Sequence, residues 1–130
     1  MKRKIKYTDE PIGKSMPIAK SLTRKKCLPC EGGVKPLSIK EAKEYLKALP
    51  GWRLGRGGKE IEIECKMKNF MAAIGLIQKI ARIAEKEGHH PDLHLTGYRR
   101  LKIVLSTHAI RGLSLNDFIL AAKIQKLVDC

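Results

Sequence analysis

The run Glu60-Ile61-Glu62-Ile63-Glu64-Cys65-Lys66-Met67 alternates charged and apolar side chains without interruption. A period of two puts Ile61, Ile63, Cys65 and Met67 on one face of a half-buried strand, and that face needs a cover. The next segment supplies one. Asn69 stands as an N-cap, Phe70, Ile74, Ile77, Ala81 and Ala84 recur at helical spacing, and Gly88 offers a C-terminal stop. A second row of Met71, Leu76, Ile80 and Ile83 widens the apolar face, which predicts a central helix.

The same signals order the rest of the chain. Ser38 with Glu41 three residues later, and Leu37 placed to staple against Ala42, predict a first helix of about three turns that Pro50-Gly51 stops. Trp52 to Leu54 forms a hairpin with the alternating run across the turn Gly55-Arg56-Gly57-Gly58. Leu93 to Thr96 and Leu101 to Thr107 form a second hairpin around Gly97 to Arg100. Ser114 caps a final helix, with Asp117 at its third position. The order α-β-β-α-β-β-α, with strands close enough for hairpins, predicts an α+β two-layer domain over residues 36–130: a four-stranded antiparallel sheet covered by helices. One sheet and three helices leave apolar surface or strand edge uncovered, so a homodimer or homotetramer is expected.

Residues 1–35 are set apart by charge. Residues 1–26 hold nine Lys or Arg against Asp9 and Glu10, half of the net charge of +14. Such an arm reads as a solvated, partly disordered extension, with order beginning near Pro36. Tyr7 is its only aromatic residue, which argues against base stacking and makes a nucleic-acid partner unexpected. No apolar run is long enough for a membrane span, and the first residues lack the apolar core of a secretory signal. The Lys-rich arm with Asp9-Glu10 fits transit peptides poorly, which leaves the cytoplasm as the expected compartment. Cysteines at 27, 30, 65 and 130 show no disulfide framework, and free thiols are expected. Cys27 and Cys30 are half of a tetrahedral zinc set, and Cys65 and Cys130 do not supply a second pair of that spacing.

All four histidines lie at 89, 90, 94 and 108. Imidazole exchanges protons near neutrality, so the cluster points to acid/base chemistry or metal binding. His89 and His90 are adjacent, and Pro91 pushes His90 into extended backbone. The two rings then face opposite sides, which speaks against a shared metal. Glu85 lies one helical turn before His89, close enough to orient an imidazole. His94 reads as a strand surface residue. His108 closes the strand Leu101 to Thr107, on the face of Lys102, Val104 and Ser106 by alternation. If helix exit and strand end converge, a cleft lined by two or three imidazoles results.

Glu85-x-x-x-His89-His90-Pro91, then Tyr98, then Thr107-His108-x-x-x-Gly112-Leu113-Ser114-x-x-Asp117 resembles the signature of the pterin-4a-carbinolamine dehydratases. The similarity runs from about Leu37 to Leu127 and includes Pro50-Gly51-Trp52. This resemblance implies loss of water from 4a-hydroxytetrahydrobiopterin to give quinonoid dihydropterin, a step of tetrahydrobiopterin recycling, with a pterin as substrate and no metal or bound cofactor. By matching position, His89 and His108 become the acid/base pair and His90 joins them. Glu85, Pro91, Tyr98, Thr107 and Asp117 become substrate-binding or orienting residues. The gap from His90 to Tyr98 is one residue longer than in the animal enzymes, which touches substrate preference. Animal relatives also act as a dimerisation cofactor for a homeodomain transcription factor. The resemblance therefore carries a second reading, a transcriptional cofactor or nucleic-acid module using the basic arm.

Overall fold

The computed structural model describes residues 18–28, 35–128 and 130. Its elements are α1 (Ile18–Thr23), α2 (Ile39–Leu46), β1 (Arg53–Gly55), β2 (Glu60–Lys66), α3 (Phe70–Glu87), β3 (Asp92–Thr96), β4 (Arg100–Leu105) and α4 (Leu115–Gln125), with 3-10 turns at Arg56–Gly58 and His108–Ile110. From α2 onward this is the order expected from the sequence.

The four strands form one antiparallel sheet in the order β1-β2-β4-β3. Register explains its two faces. Ile61 stands opposite Leu105, Ile63 opposite Ile103 and Cys65 opposite Leu101. All six are at most 1% exposed and share one cluster with Leu76 and Ile80 of α3 and Phe118, Ile119 and Ile124 of α4. Burying each large apolar group stabilises the fold by roughly 1.5–3 kcal/mol. The other face carries Arg53, Glu62, Lys102 and His94, and Glu62 accepts an ion pair from Arg53 at 2.7 Å. One face is dry and the other wet, as antiparallel sheets allow. His94 is exposed, as expected.

The helix boundaries follow local chemistry. Ser38 Oγ accepts the Glu41 N–H at 3.1 Å while Glu41 Oε1 accepts the Ser38 N–H at 2.8 Å, so the capping box that opens α2 is complete. This helix is shorter than expected and ends at Leu46, because Ala48, Leu49 and Trp52 bond back three residues instead of four as the chain tightens into Pro50-Gly51. Asn69 Oδ1 accepts the Ala72 N–H at 2.8 Å, and Gly88 leaves α3 at φ 68°, the left-handed turn that glycine adopts without a Cβ penalty. Trp52 Nε1 donates to Gln125 Oε1 at 2.9 Å, tying the start of the sheet to the end of α4.

Two findings differ from the sequence reading. Packing begins before Pro36: α1 lies against α4, with Leu22 and Cys27 buried. The backbone after α1 is held by distant side chains. Glu87 Oε1 accepts the Cys27 N–H at 2.8 Å, and the Asn116 amide both accepts the Leu28 N–H at 2.9 Å and donates to the Leu28 carbonyl at 2.6 Å. Lys123 binds the other Glu87 oxygen. Burial pushes the Glu87 carboxyl up, but the Lys123 ammonium, the Cys27 amide and the charge of Lys26 outweigh it and hold the group below its usual value. Burial, seconded by the Glu87 charge, pushes the Cys27 thiol up to about 12, so it stays protonated and unreactive near neutrality. Residues 1–17 and Cys30 lie outside the described residues.

The other difference is covalent. Cys65 and Cys130 form a disulfide with their Cα atoms 4.9 Å apart, where free thiols had been expected. Their separation of 65 residues hid the pairing, which only folding back past α4 creates. In the chain-entropy account, closing a loop of this size adds roughly 4 kcal/mol. Cys130→Ser is accordingly expected to lower the urea midpoint without reductant and to match the parent when a dithiol is present. Equal midpoints without reductant would show that the bridge carries no stability.

Candidate functional site

Asp117 is fully buried, and the two oxygens of its carboxylate collect three elements. Oδ2 accepts the Ser114 N–H at 3.0 Å, which opens α4 as a capping interaction, and the Thr107 hydroxyl at 2.8 Å. Oδ1 lies 2.6 Å from Nε2 of His89, the second residue past the end of α3. A carboxylate can only accept, so the proton on this His89 nitrogen points at Asp117 and the ring lone pair stays at Nδ1. The Thr107 proton is likewise committed. Its Oγ, 2.7 Å from Ser114 Oγ, must therefore accept the serine proton, while Ser114 Oγ accepts the Asn116 N–H at 3.2 Å. The buried charge is matched by three donors, without which its desolvation would be prohibitive.

Gly88 makes this meeting possible. Its left-handed turn brings both the Gly88 and the His89 N–H onto the Ala84 carbonyl, at 2.8 and 3.2 Å, and swings His89 inward to 6% exposure. Pro91 follows and His90 faces out, its Nε2 2.6 Å from Glu85 Oε2 on the exposed flank of α3. Glu85 thus orients His90, not the His89 one helical turn along.

His108 does not continue β4. The strand ends at Leu105, Thr107 bridges to Gly112, and a 3-10 turn from His108 to Ile110 carries the ring out to the surface. The alternation argument fails there because Thr107 has left the ladder to bind Asp117. A cleft of about 300 Å³ opens beside this turn, lined by Arg56, Lys59, Glu60, Asp92, Ser106, Thr107, His108, Arg111 and Gly112. This volume is at the lower end for small-molecule sites.

Helix exit and strand end therefore converge, but one imidazole lines the cleft where two or three had been expected. His89 sits behind the wall, joined to it through Asp117 and Thr107, and His90 lies on the outer flank. Tyr98 does not reach the cleft within this chain. It is 60% exposed at φ 56°, in the turn at the far end of the β3–β4 hairpin, about 16 Å of strand from Asp92. Sequence reasoning missed Arg56, Lys59, Asp92 and Arg111. Arg56 stands in a turn of glycines and Arg111 at an unassigned position between His108 and Gly112, so neither carries a local signal. Replacing Asp117 by alanine is expected to cost about 3 kcal/mol or more, since the Thr107, Ser114 and His89 donors lose their common acceptor. Thermal or urea unfolding checks it, and a loss below about 1 kcal/mol would mean that water replaces the carboxylate.

Comparison with known proteins agrees with this architecture. The family model described as pterin 4 alpha carbinolamine dehydratase matches residues 35–127. A Halorhodospira halophila protein, named as a candidate pterin-4-alpha-carbinolamine dehydratase, is 42% identical over 107 residues, 82% of this chain and 97% of its own. The mitochondrial pterin-4-alpha-carbinolamine dehydratase 2 of Arabidopsis thaliana is 42% identical over 109 residues, 82% of this chain and 58% of its own. Among solved structures, a transcriptional coactivator/pterin dehydratase from Brucella melitensis superposes with a TM-score of 0.68 at 33% identity, covering 73% of this chain and all of that one. With the match spanning every strand and the helices α2, α3 and α4, the chain belongs to the pterin-4a-carbinolamine dehydratase family.

Proposed function

We propose that this protein is a hydro-lyase that dehydrates 4a-hydroxytetrahydrobiopterin to quinonoid dihydropterin, with His89 and His108 as its acid/base pair. One observation carries the reading: the hydrogen-bonded chain from His89 through Asp117 to Thr107 ends next to His108 on the cleft wall. The elimination breaks the C4a–O bond, removes the N5 proton and forms the C4a=N5 double bond as water departs. It needs a proton delivered to the leaving oxygen and another taken from nitrogen, and imidazoles exchange both near neutrality. His108 meets the cleft directly. Asp117 fixes the tautomer and orientation of His89, and Glu85 orients His90, which stands on the outer flank of α3 as an orienting group. Thr107 and Pro91 position these rings. Tyr98 has no part in the cleft of its own chain.

The reading includes a homo-oligomer. Phe70 and Met71 on the first turn of α3 are 49% and 73% exposed, and among the described residues β1 and β3 are the edge strands of the sheet. Among the described residues no helix is long and apolar enough to cross a membrane. The Brucella protein is also named a transcriptional coactivator, but the geometry favours the enzyme, because a partner-binding role would not call for a tautomer-fixed imidazole.

Removing a positioned acid or base typically costs on the order of 100- to 10,000-fold in rate. His108→Ala and His89→Ala are each expected to lose that much dehydration of freshly generated 4a-hydroxytetrahydropterin, measured by stopped flow, while His90→Ala loses less. A His108→Ala protein as fast as the parent would remove the acid/base assignment.

A further inference from the structure

The cleft beside His108 is more cationic than a neutral pterin requires. Arg56, Lys59 and Arg111 line it, against Glu60 and Asp92. Glu60 is engaged by Arg56 across 3.7 Å, whereas Lys59 and Arg111 have no carboxylate within ion-pair distance among the described residues. The backbone adds a second, independent observation. Only three described non-glycine residues have positive φ, and two of them, Arg56 at 33° and Arg111 at 54°, are cleft arginines. Side chains other than glycine, asparagine and aspartate occupy that region at a steric cost, and such costs concentrate where a ligand is clamped. Both turns also come from separate parts of the chain: Arg56 from the β1–β2 connection, Arg111 from the 3-10 turn after β4.

We propose that, besides a pterin with a neutral side chain, this cleft takes a pterin whose side chain ends in an oxyanion, a phosphate monoester or a carboxylate, held by Arg111 and Lys59 with Arg56 beside them. This rests on the pterin reading of the site and specifies it. Guanidinium presents paired N–H donors that match either oxyanion, and the ammonium adds a point charge. A cleft of about 300 Å³ holds a bicyclic ring with a short substituent, which places the anion close to the ring. The ring faces His108 while the side chain runs towards Arg111.

Binding of three stable oxidised pterins tests this without turnover, by fluorescence titration: 6-hydroxymethylpterin, its phosphate monoester and pterin-6-carboxylate. The parent is expected to bind at least one of the two anions about tenfold or more tightly than the hydroxymethyl compound, the size of one charge-assisted contact. The arm that shows it identifies phosphate or carboxylate. Arg111→Gly suits the left-handed backbone, so it deletes the guanidinium without straining the turn, and the advantage is expected to fall below about threefold. Lys126→Ala, at the far end of α4, should leave it intact. Equal affinities for the three pterins in the parent, an advantage unchanged in Arg111→Gly, or no binding of any pterin would overturn the proposal. A protein that keeps the preference but fails to dehydrate would lose only the dehydratase reading.

Discussion

A carboxylate with no exposure to water must be fully hydrogen-bonded, and at Asp117 that requirement organises the molecule. The donors come from the start of α4, the end of β4 and the exit of α3. These three chain positions could each fold acceptably alone, but only together do they discharge the cost of the buried charge. The arrangement that opens a helix also fixes a histidine tautomer and pulls Thr107 out of the strand ladder. That last effect turns the chain into the 3-10 turn that presents His108 and Arg111 to the cleft.

The exit of α3 is held from the other side as well. Glu87, two residues before His89, receives Lys123 of α4 and the Cys27 amide, while Asn116, beside Asp117, clamps Leu28. Helical geometry lets neighbouring residues take opposite duties: Glu87 faces α4 and the strap after α1, whereas Glu85 faces out to His90. Two polar clamps thus bracket one helix junction. Side chains on such a junction have little freedom left to lose, which is the physical content of preorganisation.

Periodicity made most of the fold legible. The alternation of residues 60–67 and the broad apolar face of α3 fixed the sheet and its cover, and Ser38, Asn69, Gly88 and Ser114 marked helix ends where the structure has them. Other features were invisible because they are made by long-range partners. The strap of residues 18–28 depends on Glu87 and Asn116, about 60 and 88 residues away, and the Cys65–Cys130 bridge spans 65. At the site, motif spacing located His89, Thr107, His108 and Asp117, which the structure gathers, and also Tyr98, which lies at the far end of its hairpin from the cleft. It passed over Arg56 and Arg111, because a turn of Gly and Arg has no pattern that says where its side chains go.

If the proposed pairing of histidines holds, Asp117 acts on the chemistry through His89 and not only on folding. Asp117→Asn keeps the shape and removes the charge. The deciding measurement is its dehydration rate against pH, from about 6 to 8 around the ordinary imidazole pKa of about 6.5, with circular dichroism confirming the fold at the assay temperature. A folded protein slower by about 100-fold or more is expected, with the pH dependence displaced from that of the parent. A folded variant with the parent's rate and pH profile would contradict it.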